Sequence, residues 1–221
     1  KDTVLLSLTN NDEVNLIASK IAKSSFNAKK TICRLSDSSY ITEKKLIDDF
    51  VDIPISPEND ITEHHFQLIT HPGTNQIEDF ADGKVKLVSV KAQKNGNLVG
   101  HELKVIRQDM PNIDTFVPII YRKGKPIKAK GSTIIKENDE IYFITAAENI
   151  DEVVNEVQEK SERFSRVFII GGGKIGFNLA KQLENKFNVK VVERDKGRCK
   201  FLSEELNLSL IHISEPTRPN N

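Results

Sequence analysis

The chain has 221 residues, of which 38% are hydrophobic, so it is long enough to bury a sizeable core and too apolar for an intrinsically disordered protein. Its 32 Lys and Arg residues balance 32 Asp and Glu residues, which excludes a strong overall field for binding nucleic acid or a membrane surface. Two distant cysteines, Cys33 and Cys199, exclude a disulfide-rich secreted scaffold and a zinc ribbon, and they favour a reducing cytosol.

The first 55 residues alternate between strand-like and helix-like patterns. Thr3–Leu8 is an apolar run typical of a buried parallel strand, and because it begins almost at residue 1 we expect further chain before it. Apolar residues then recur at helical spacing after the N-cap candidates Asn11 and Asp12. The alternation predicts the later part of a doubly wound α/β sheet. Its strands are expected at 3–8, 31–35 and 51–55, with helices over 14–22 and near 40–50.

The pattern changes after a helix expected from Pro57 to about Leu68, which the sequence His71-Pro72-Gly73 ends. Short strand-like runs separated by turns rich in Gly and Asn then follow, and they predict a small α+β domain. These runs are 85–90, 115–121, 126–129 and 140–145, with a helix near 104–108 and a helical connector over 150–160.

The alternating pattern restarts at 164–170, where a strand leads into a glycine-rich segment. A helix to Leu183, a strand over 189–193 and a helix over 196–206 are expected next. The small domain therefore separates two partial sheets of one type. Pro216 and Pro219 exclude a further central strand in the tail, and the run 210–219 resembles a translated sequencing adapter. We interpret 209–221 as a non-native tail.

The segment Gly171-x-Gly173-x-x-Gly176 carries the strongest functional signal, because it follows a strand and begins a helix. In this context Gly171 permits a tight turn, Gly173 lets backbone N–H groups approach a pyrophosphate, and Gly176 allows close helix–strand packing. Glu193, at the end of the next strand, is placed to accept hydrogen bonds from a ribose, which favours NAD over NADP. The alternative is a glycine-rich turn kept for packing, which leaves Glu193 without a reason.

A second group of candidates lies at the carboxyl edge of the first predicted sheet, where ligands bind in open α/β folds. Thr9 and Asn10 follow the first strand, so a ribose or phosphate contact is one interpretation. Simple N-capping by Asn11 or Asp12 is the other. Arg34 lies inside an otherwise apolar strand, and a buried guanidinium without a partner is costly. We expect Arg34 to face a carboxylate or a ligand phosphate.

No catalytic or metal-binding arrangement is recognisable in the sequence. The histidines show no i, i+4 pair with a third ligand, and neither cysteine has a neighbour in sequence that would activate its thiol. No Ser-His-Asp set or pair of carboxylates is evident. The chain is therefore expected to be neither an enzyme nor a metal-binding protein. Because it has no apolar run of roughly 18 residues and no signal-peptide pattern, we expect neither a membrane span nor secretion.

Several segments have specific sequences. They are Thr9-Asn10-Asn11-Asp12-Glu13-Val14-Asn15, Asp79-Phe80-Ala81-Asp82-Gly83-Lys84-Val85, Met110-Pro111-Asn112, Gly171–Gly176, Glu193-Arg194-Asp195 and Arg198-Cys199. Together they resemble the RCK (KTN) domain family in its tandem form, and the resemblance extends to about Leu206.

The resemblance implies how the chain is divided and which residues contact nucleotide. It makes 1–59 the end of a first RCK N-terminal domain with a Rossmann-like fold, 79–160 an RCK C-terminal domain, and 164–208 the start of a second N-terminal domain. The chain would then be truncated at both ends, with neither nucleotide site complete. The implied nucleotide contacts are Thr9, Asn10 and Arg34 in the first site, and Gly171, Gly172, Gly173, Lys174, Ile175 and Glu193, beside Gly176, in the second.

The resemblance also implies a regulatory function. The family consists of cytosolic subunits that form homo-oligomeric rings and gate a Trk-type K⁺-translocating membrane subunit from the inner face of the plasma membrane. The implied ligand is NAD(H), with ATP or ADP as alternatives, and no nucleic-acid partner is expected. Two other interpretations stay open, a fragment of an NAD-dependent dehydrogenase and an RCK regulator of another cation channel or antiporter.

Overall fold

The computed structural model describes residues 2–106, 113–159, 164–207 and 209–212. The chain forms two compact units. The first comprises Lys1–Glu63, Phe168–Asn185 and Val189–Asn221, and the second comprises His64–Val167 and Lys186–Asn188. The motif Met110-Pro111-Asn112, the end of the helix expected near 104–108, Lys160 of the connector and the tail beyond His212 lie outside the described residues.

A three-stranded parallel sheet begins the first unit. The strands lie in the order β1-β2-β3 with Leu6 opposite Ile32, and Ile32 opposite Ile53, which confirms the expected parallel pairing. The helix expected near 40–50 is wrong as one element, because a short helix and a separate 3-10 turn over Lys44–Leu46 replace it. The elements are β1 (Val4–Ser7), α1 (Asp12–Phe26), β2 (Lys30–Arg34), α2 (Ser38–Thr42) and β3 (Ile53–Ile55).

The expectation that the first strand is fully buried is also wrong. Ser7 is buried, and its hydroxyl oxygen lies 3.0 Å from that of Ser19 in α1. On the opposite face, Val4 and Leu6 are 48% and 57% exposed. Helix α1 packs on the sheet through small and polar residues, and its apolar stripe faces outward. The inner residues are Asn15, Ser19 and Ala22, and the outer ones are Val14, Ile17 and Ile21.

The second unit contains a five-stranded antiparallel sheet in the order β4-β5-β8-β6-β7. One face of this sheet holds the main apolar core, which α4 covers with Val153, Val154 and Val157, as expected for the connector. The buried carboxylate of Asp139 binds the guanidinium of Arg122 through two hydrogen bonds of 2.7 Å. Helix α3 (Pro57–Thr70) comes first along the chain, and its residues 57–63 belong to the first unit. The other elements are β4 (Thr74–Phe80), β5 (Val85–Lys91), β6 (Thr115–Arg122), β7 (Lys125–Lys128), β8 (Glu140–Ala146) and α4 (Ile150–Val157).

Strand β4 was not expected, because its sequence Thr74-Asn75-Gln76-Ile77-Glu78-Asp79-Phe80 is mostly polar. It pairs with β5 at the edge of the sheet, where only Thr74 and Ile77 are buried, so an apolar pattern is not required. The turn between these strands places Ala81, Asp82 and Gly83 at positive φ. The helix expected near 104–108 is a 3-10 turn over Leu103–Val105 in the described residues.

A second parallel sheet follows, in the order β11-β10-β9. Strands and helices alternate again in this part of the chain, while the repetition of one domain type stays a prediction. The expectation that the pattern ends before residue 209 is wrong, because Ser209–His212 forms a strand parallel to β10. Pro216 and Pro219 lie beyond this strand and do not interrupt it. The elements are β9 (Arg166–Ile170), α5 (Lys174–Leu183), β10 (Asn188–Glu193), α6 (Lys196–Glu205) and β11 (Ser209–His212).

Candidate functional site

The glycine-rich segment forms a tight turn between β9 and α5. Gly171 has φ +104, a conformation that side chains disfavour, and its N–H donates to the carbonyl of Val192 at 2.9 Å. A Cβ on Gly176 would lie 2.0 Å from the carbonyl oxygen of Gly171 and 3.3 Å from Cγ2 of Ile169. The turn and the close helix–strand packing expected at these two glycines are therefore present.

Gly173 caps α5 with no side-chain hydrogen bond, so the backbone N–H groups at the start of this ten-residue helix are not capped by a side chain. A Cβ on Gly173 would meet nothing within 4 Å. Lys174 is exposed at the first helical position, and Ile175 follows it half-buried. An uncapped helix N-terminus beside an open glycine and a lysine fits an anionic group such as a pyrophosphate.

Glu193 accepts hydrogen bonds from three backbone N–H groups, which the sequence did not predict. One carboxylate oxygen accepts from the N–H of Gly172 at 2.6 Å, and the other accepts from the N–H groups of Arg194 and Asp195 at 2.6 and 2.9 Å. The hydrogen bonds from the backbone of Asp195, Gly172 and Arg194 lower the pKa of Glu193. We expected that a glycine-rich turn kept only for packing would give Glu193 no role. That expectation is wrong, because the carboxylate connects β10 to the turn.

Arg198 is a further residue of this site, although the sequence indicated it only as part of the pair Arg198-Cys199. Its Nε donates to the carbonyl of Gly172 at 2.5 Å, and its guanidinium lies 4.4 Å from the ring centroid of Phe201 and 5.6 Å from that of Phe177. Asp195 caps α6 by accepting from the N–H of Arg198 at 2.6 Å. The guanidinium thus adds a fixed positive charge beside the glycine turn.

The other candidates lie at the carboxyl ends of β1 and β2, which Asn15 connects. The buried amide of Asn15 donates to the carbonyls of Thr9 and Arg34, each at 3.0 Å, and its oxygen accepts from the N–H of Thr9 at 2.9 Å. Asn10 is exposed, and Asn11 caps α1 by accepting from the N–H of Val14 at 2.7 Å. Asn15 therefore connects the backbone at the ends of β1 and β2. The sequence did not predict this role, because a polar residue in a helix of mixed polarity is usually exposed.

Asp12, the other expected cap, has a different role. Its buried carboxylate accepts from the backbone N–H groups of Ser36 and Asp37 at 2.9–3.0 Å. Asp37 in turn accepts from the N–H of Ser39, and this backbone bond is the main reason that the pKa of Asp37 is lowered. The loop that follows β2 is thus fixed from α1 by a charge-assisted contact.

Arg34 faces a carboxylate, as one of its two expected partners. Its Nη2 lies 2.5 Å from Oε1 of Glu58, which is in the first turn of α3 and also accepts from the Ser36 hydroxyl at 3.3 Å. Burial alone would raise the pKa of Glu58, but the hydrogen bond from Arg34 offsets it and the pKa is lowered. Three atoms of this cluster are buried without a hydrogen-bond partner among the described residues, namely Arg34 Nε, Glu58 Oε2 and Ser56 Oγ.

The remaining sequence candidates have ordinary surroundings. In the described part of the chain no group of three His, Cys, Asp or Glu side chains could hold a metal ion. His71 Nδ1 lies 2.7 Å from a carboxylate oxygen of Asp151. Cys33 is buried in β2, and Cys199 is half-buried in α6 with its Sγ 3.6 Å from the carbonyl of Glu193. Within the same ranges no helix is both long and apolar enough to cross a membrane.

Two family models match the chain. The TrkA-C domain matches residues 87–158, and the TrkA-N domain matches residues 167–220. The first match covers most of the five-stranded sheet and α4, and the second begins in β9 and includes the glycine turn and Glu193. The second match also extends through most of the segment that we interpreted as a non-native tail.

Curated relatives are similar over nearly the whole chain. The Trk system potassium uptake protein TrkA of Halomonas elongata is 42% identical over 211 residues, which is 94% of this chain and 46% of the relative. The protein of the same name from Vibrio alginolyticus is 40% identical over 216 residues, which is 96% of this chain and 47% of the relative. The chain spans about half the length of these relatives.

A solved structure supports the fold assignment. The structure described as "GsuK channel bound to NAD" matches with a TM-score of 0.57 and 14% sequence identity, over 97% of this chain and 37% of that chain. At this identity the likeness concerns the fold alone. The curated relatives have the names of potassium uptake proteins, which confirms the interpretation that the chain is not an enzyme.

Proposed function

The chain belongs to the TrkA family of RCK-domain proteins, and from this premise we propose that it is part of a nucleotide-binding regulatory subunit of a potassium uptake system. The names of the relatives support a part in potassium uptake. Since the chain spans about half of each relative, this function belongs to the whole protein of which these domains form a part.

The observation that carries the proposal is the uncapped N-terminus of α5 at Gly173, where a Cβ would meet nothing within 4 Å. A pyrophosphate placed there accepts hydrogen bonds from backbone N–H groups and is favoured by the helix dipole. Lys174 supplies an exposed positive charge, and Arg198 supplies a second one that its hydrogen bond to Gly172 holds in place. We assign this second site to Gly171, Gly172, Gly173, Lys174, Ile175, Gly176 and Glu193.

The ligand is NAD(H), with ATP or ADP as the competing choice. Glu193 can accept a hydrogen bond from a ribose hydroxyl, and its charge would repel the 2′-phosphate of NADP. The NAD described for the GsuK channel supports the same choice. A first site at the ends of β1 and β2 is assigned to Thr9, Asn10 and Arg34. Each parallel sheet is then half of a doubly wound sheet, in RCK N-terminal domains ending near residue 59 and starting near residue 164, with the C-terminal domain over 79–160 between them.

The regulatory mechanism follows from differential affinity. A nucleotide that binds one conformation of a homo-oligomeric ring more tightly shifts the ring toward that conformation, and the ring then biases a K⁺-translocating membrane partner of the Trk type. On this proposal the protein acts in the cytoplasm, at the inner face of the plasma membrane. The balanced charge of the chain agrees with a contact through a specific partner rather than through lipid.

The cofactor assignment is tested by Gly173→Asp in the full-length protein, with NADH and ATP affinity measured by isothermal titration calorimetry. The added carboxylate would occupy the space of the pyrophosphate and repel it, so we expect affinity at this site to fall at least about 100-fold. Gly131→Asp is the matched control, because a Cβ there makes only an ordinary 3.7 Å contact in the second unit. Unchanged affinity in the Gly173 variant would refute the assignment.

Potassium transport is tested in the full-length gene. We expect the gene to restore K⁺ uptake to a strain without its Trk regulatory subunit, and we expect the Gly173→Asp version to alter the dependence of uptake on nucleotide. Steady oxidation of NADH by the purified protein would instead support the dehydrogenase alternative.

A further inference from the structure

The ion pair between Arg34 and Glu58 is incompletely satisfied, and it lies at the proposed first site. On the premise of that proposed function, we propose that Glu58 competes with the phosphate of a bound nucleotide for Arg34, so that binding releases Glu58 and loosens the first turn of α3. Glu58 is thus a positioning residue that acts through Arg34.

The pair is joined by one hydrogen bond instead of the two parallel bonds that a guanidinium and a carboxylate can form. The second carboxylate oxygen of Glu58 and the Nε of Arg34 are buried and have no partner among the described residues. Each such unsatisfied group costs free energy, and the cost is larger when the group is charged. The pair is therefore held weakly for a buried contact, and a better acceptor can displace Glu58.

A phosphate is such an acceptor. It offers several oxygens in a geometry that matches the guanidinium fork, so it can satisfy both Nη2 and the unpaired Nε of Arg34. The side chain of Arg34 is 29% exposed and that of Glu58 is 14% exposed, so the arginine is the more accessible partner. Arg34 is also held by its carbonyl through Asn15, which leaves the guanidinium as the part that can turn.

Release of Glu58 affects the start of α3 directly. Glu58 is in the first turn, and its carbonyl accepts from the Thr62 hydroxyl at 2.6 Å. Just before it, the carbonyl of Ser56 accepts from the N–H groups of Asn59 and Asp60, each at 3.0 Å, while the Ser56 hydroxyl has no partner in the part of the chain that the structure describes. With no side-chain cap from Ser56, the Arg34 contact is a main tether of this turn, and its loss should increase fraying.

The competition is tested by ADP titration of the full-length protein in a Gly173→Asp background, where binding reports the first site. We expect Glu58→Gln to bind ADP about three to ten times more tightly, because a neutral amide is a weaker competitor for the guanidinium. Arg34→Gln should lose at least about tenfold in affinity. Asp60→Asn is the matched control, since it removes the same charge from an exposed position in the same turn, and we expect a change below about twofold.

Hydrogen exchange provides a readout that ligand affinity alone does not. ADP should speed exchange at the first amides of α3 in the Gly173→Asp background and in the Asp60→Asn control. The increase should be clearly smaller in Glu58→Gln, because its contact with Arg34 is already weakened before ADP binds. Unchanged or weaker ADP affinity in Glu58→Gln would overturn the inference. Binding by the wild-type full-length protein that Gly173→Asp abolishes completely would also overturn it, while leaving the proposed function of the second site intact. No nucleotide binding by the wild-type full-length protein would overturn both.

Discussion

Gly176→Ala is expected to destabilise the first unit while Gly173→Ala does not, although the two glycines are three residues apart. Both lie at the start of α5, and both are glycines of the same motif. A Cβ on Gly176 would lie 2.0 Å from the carbonyl oxygen of Gly171, whereas a Cβ on Gly173 would meet nothing within 4 Å. The comparison therefore separates helix–strand packing from the other roles of glycine.

The magnitude follows from two opposed effects. Replacing glycine by alanine inside a helix stabilises it by about 1 kcal/mol. Overpacking costs about 1–3 kcal/mol, and the upper end applies because the obstructing atom belongs to the backbone of Gly171 and cannot turn aside. The net loss at Gly176 is then about 2 kcal/mol, or a factor of roughly 30 in the unfolding equilibrium. For Gly173, whose φ of −65 suits alanine, we expect a change within about 0.5 kcal/mol.

Urea unfolding followed by circular dichroism measures the effect. With an m-value of about 2 kcal/mol/M, the transition of the first unit in Gly176→Ala should move down by roughly 1 M, and Gly173→Ala should overlay the wild type. If Gly176→Ala is as stable as the wild type, the turn does not pack as closely as described. If Gly173→Ala loses comparable stability, the space beside Gly173 is not open.

Asp139→Asn should destabilise the second unit by about 3–5 kcal/mol, because it leaves the Arg122 guanidinium beside a buried amide. Urea unfolding measures this loss. The control is Glu204→Gln at an exposed position, which should change stability by at most about 0.5 kcal/mol. A loss below about 1 kcal/mol for Asp139→Asn would contradict the importance of the buried pair. Glu193→Gln should reduce the fall in the free energy of unfolding that acid causes. The pKa of Glu193 is lowered in the folded chain, so its carboxylate stabilises the fold above the unfolded pKa of about 4.3. This stabilisation is lost as pH falls through the folded pKa. Urea midpoints measured between about pH 6 and pH 3 should therefore converge for variant and wild type at low pH, and parallel profiles would refute the role given to the backbone bonds of Glu193.

The fold could be predicted from the sequence wherever burial leaves a periodic trace. The strand–helix alternation of both parallel sheets, the helix α3 and the valine stripe of α4 all have such a trace. Strand β4 has none, because a sheet-edge strand can bury two residues and keep the rest polar. Strand β11 was masked by the prolines that follow it, which limit where a strand ends rather than whether it forms.

In the candidate site, contacts between neighbours in sequence could be predicted, and contacts between residues far apart in sequence could not. The glycine spacing was readable because its roles are set by neighbours in sequence. The partners of two carboxylates were not, since Glu58 reaches Arg34 across 24 positions and Glu193 reaches Gly172 across 21. The need for a partner at Arg34 could be inferred from the cost of burying its charge, but nothing in the sequence distinguished Glu58 from the other acids.

Helix α1 packs on its sheet with small and polar residues and exposes its apolar ones, and this affects which substitutions the helix should tolerate. Its hydroxyl and amide groups, at Ser19 and Asn15, lie against β1 and β2, whereas Val14 and Ile17 face outward. A substitution matrix that protects large apolar residues would rank these positions in the wrong order. In a mutational scan of the chain by itself, the intolerant positions of α1 should be the small and polar ones, and a change as mild as Ser19→Val should be more harmful than Val14→Ser.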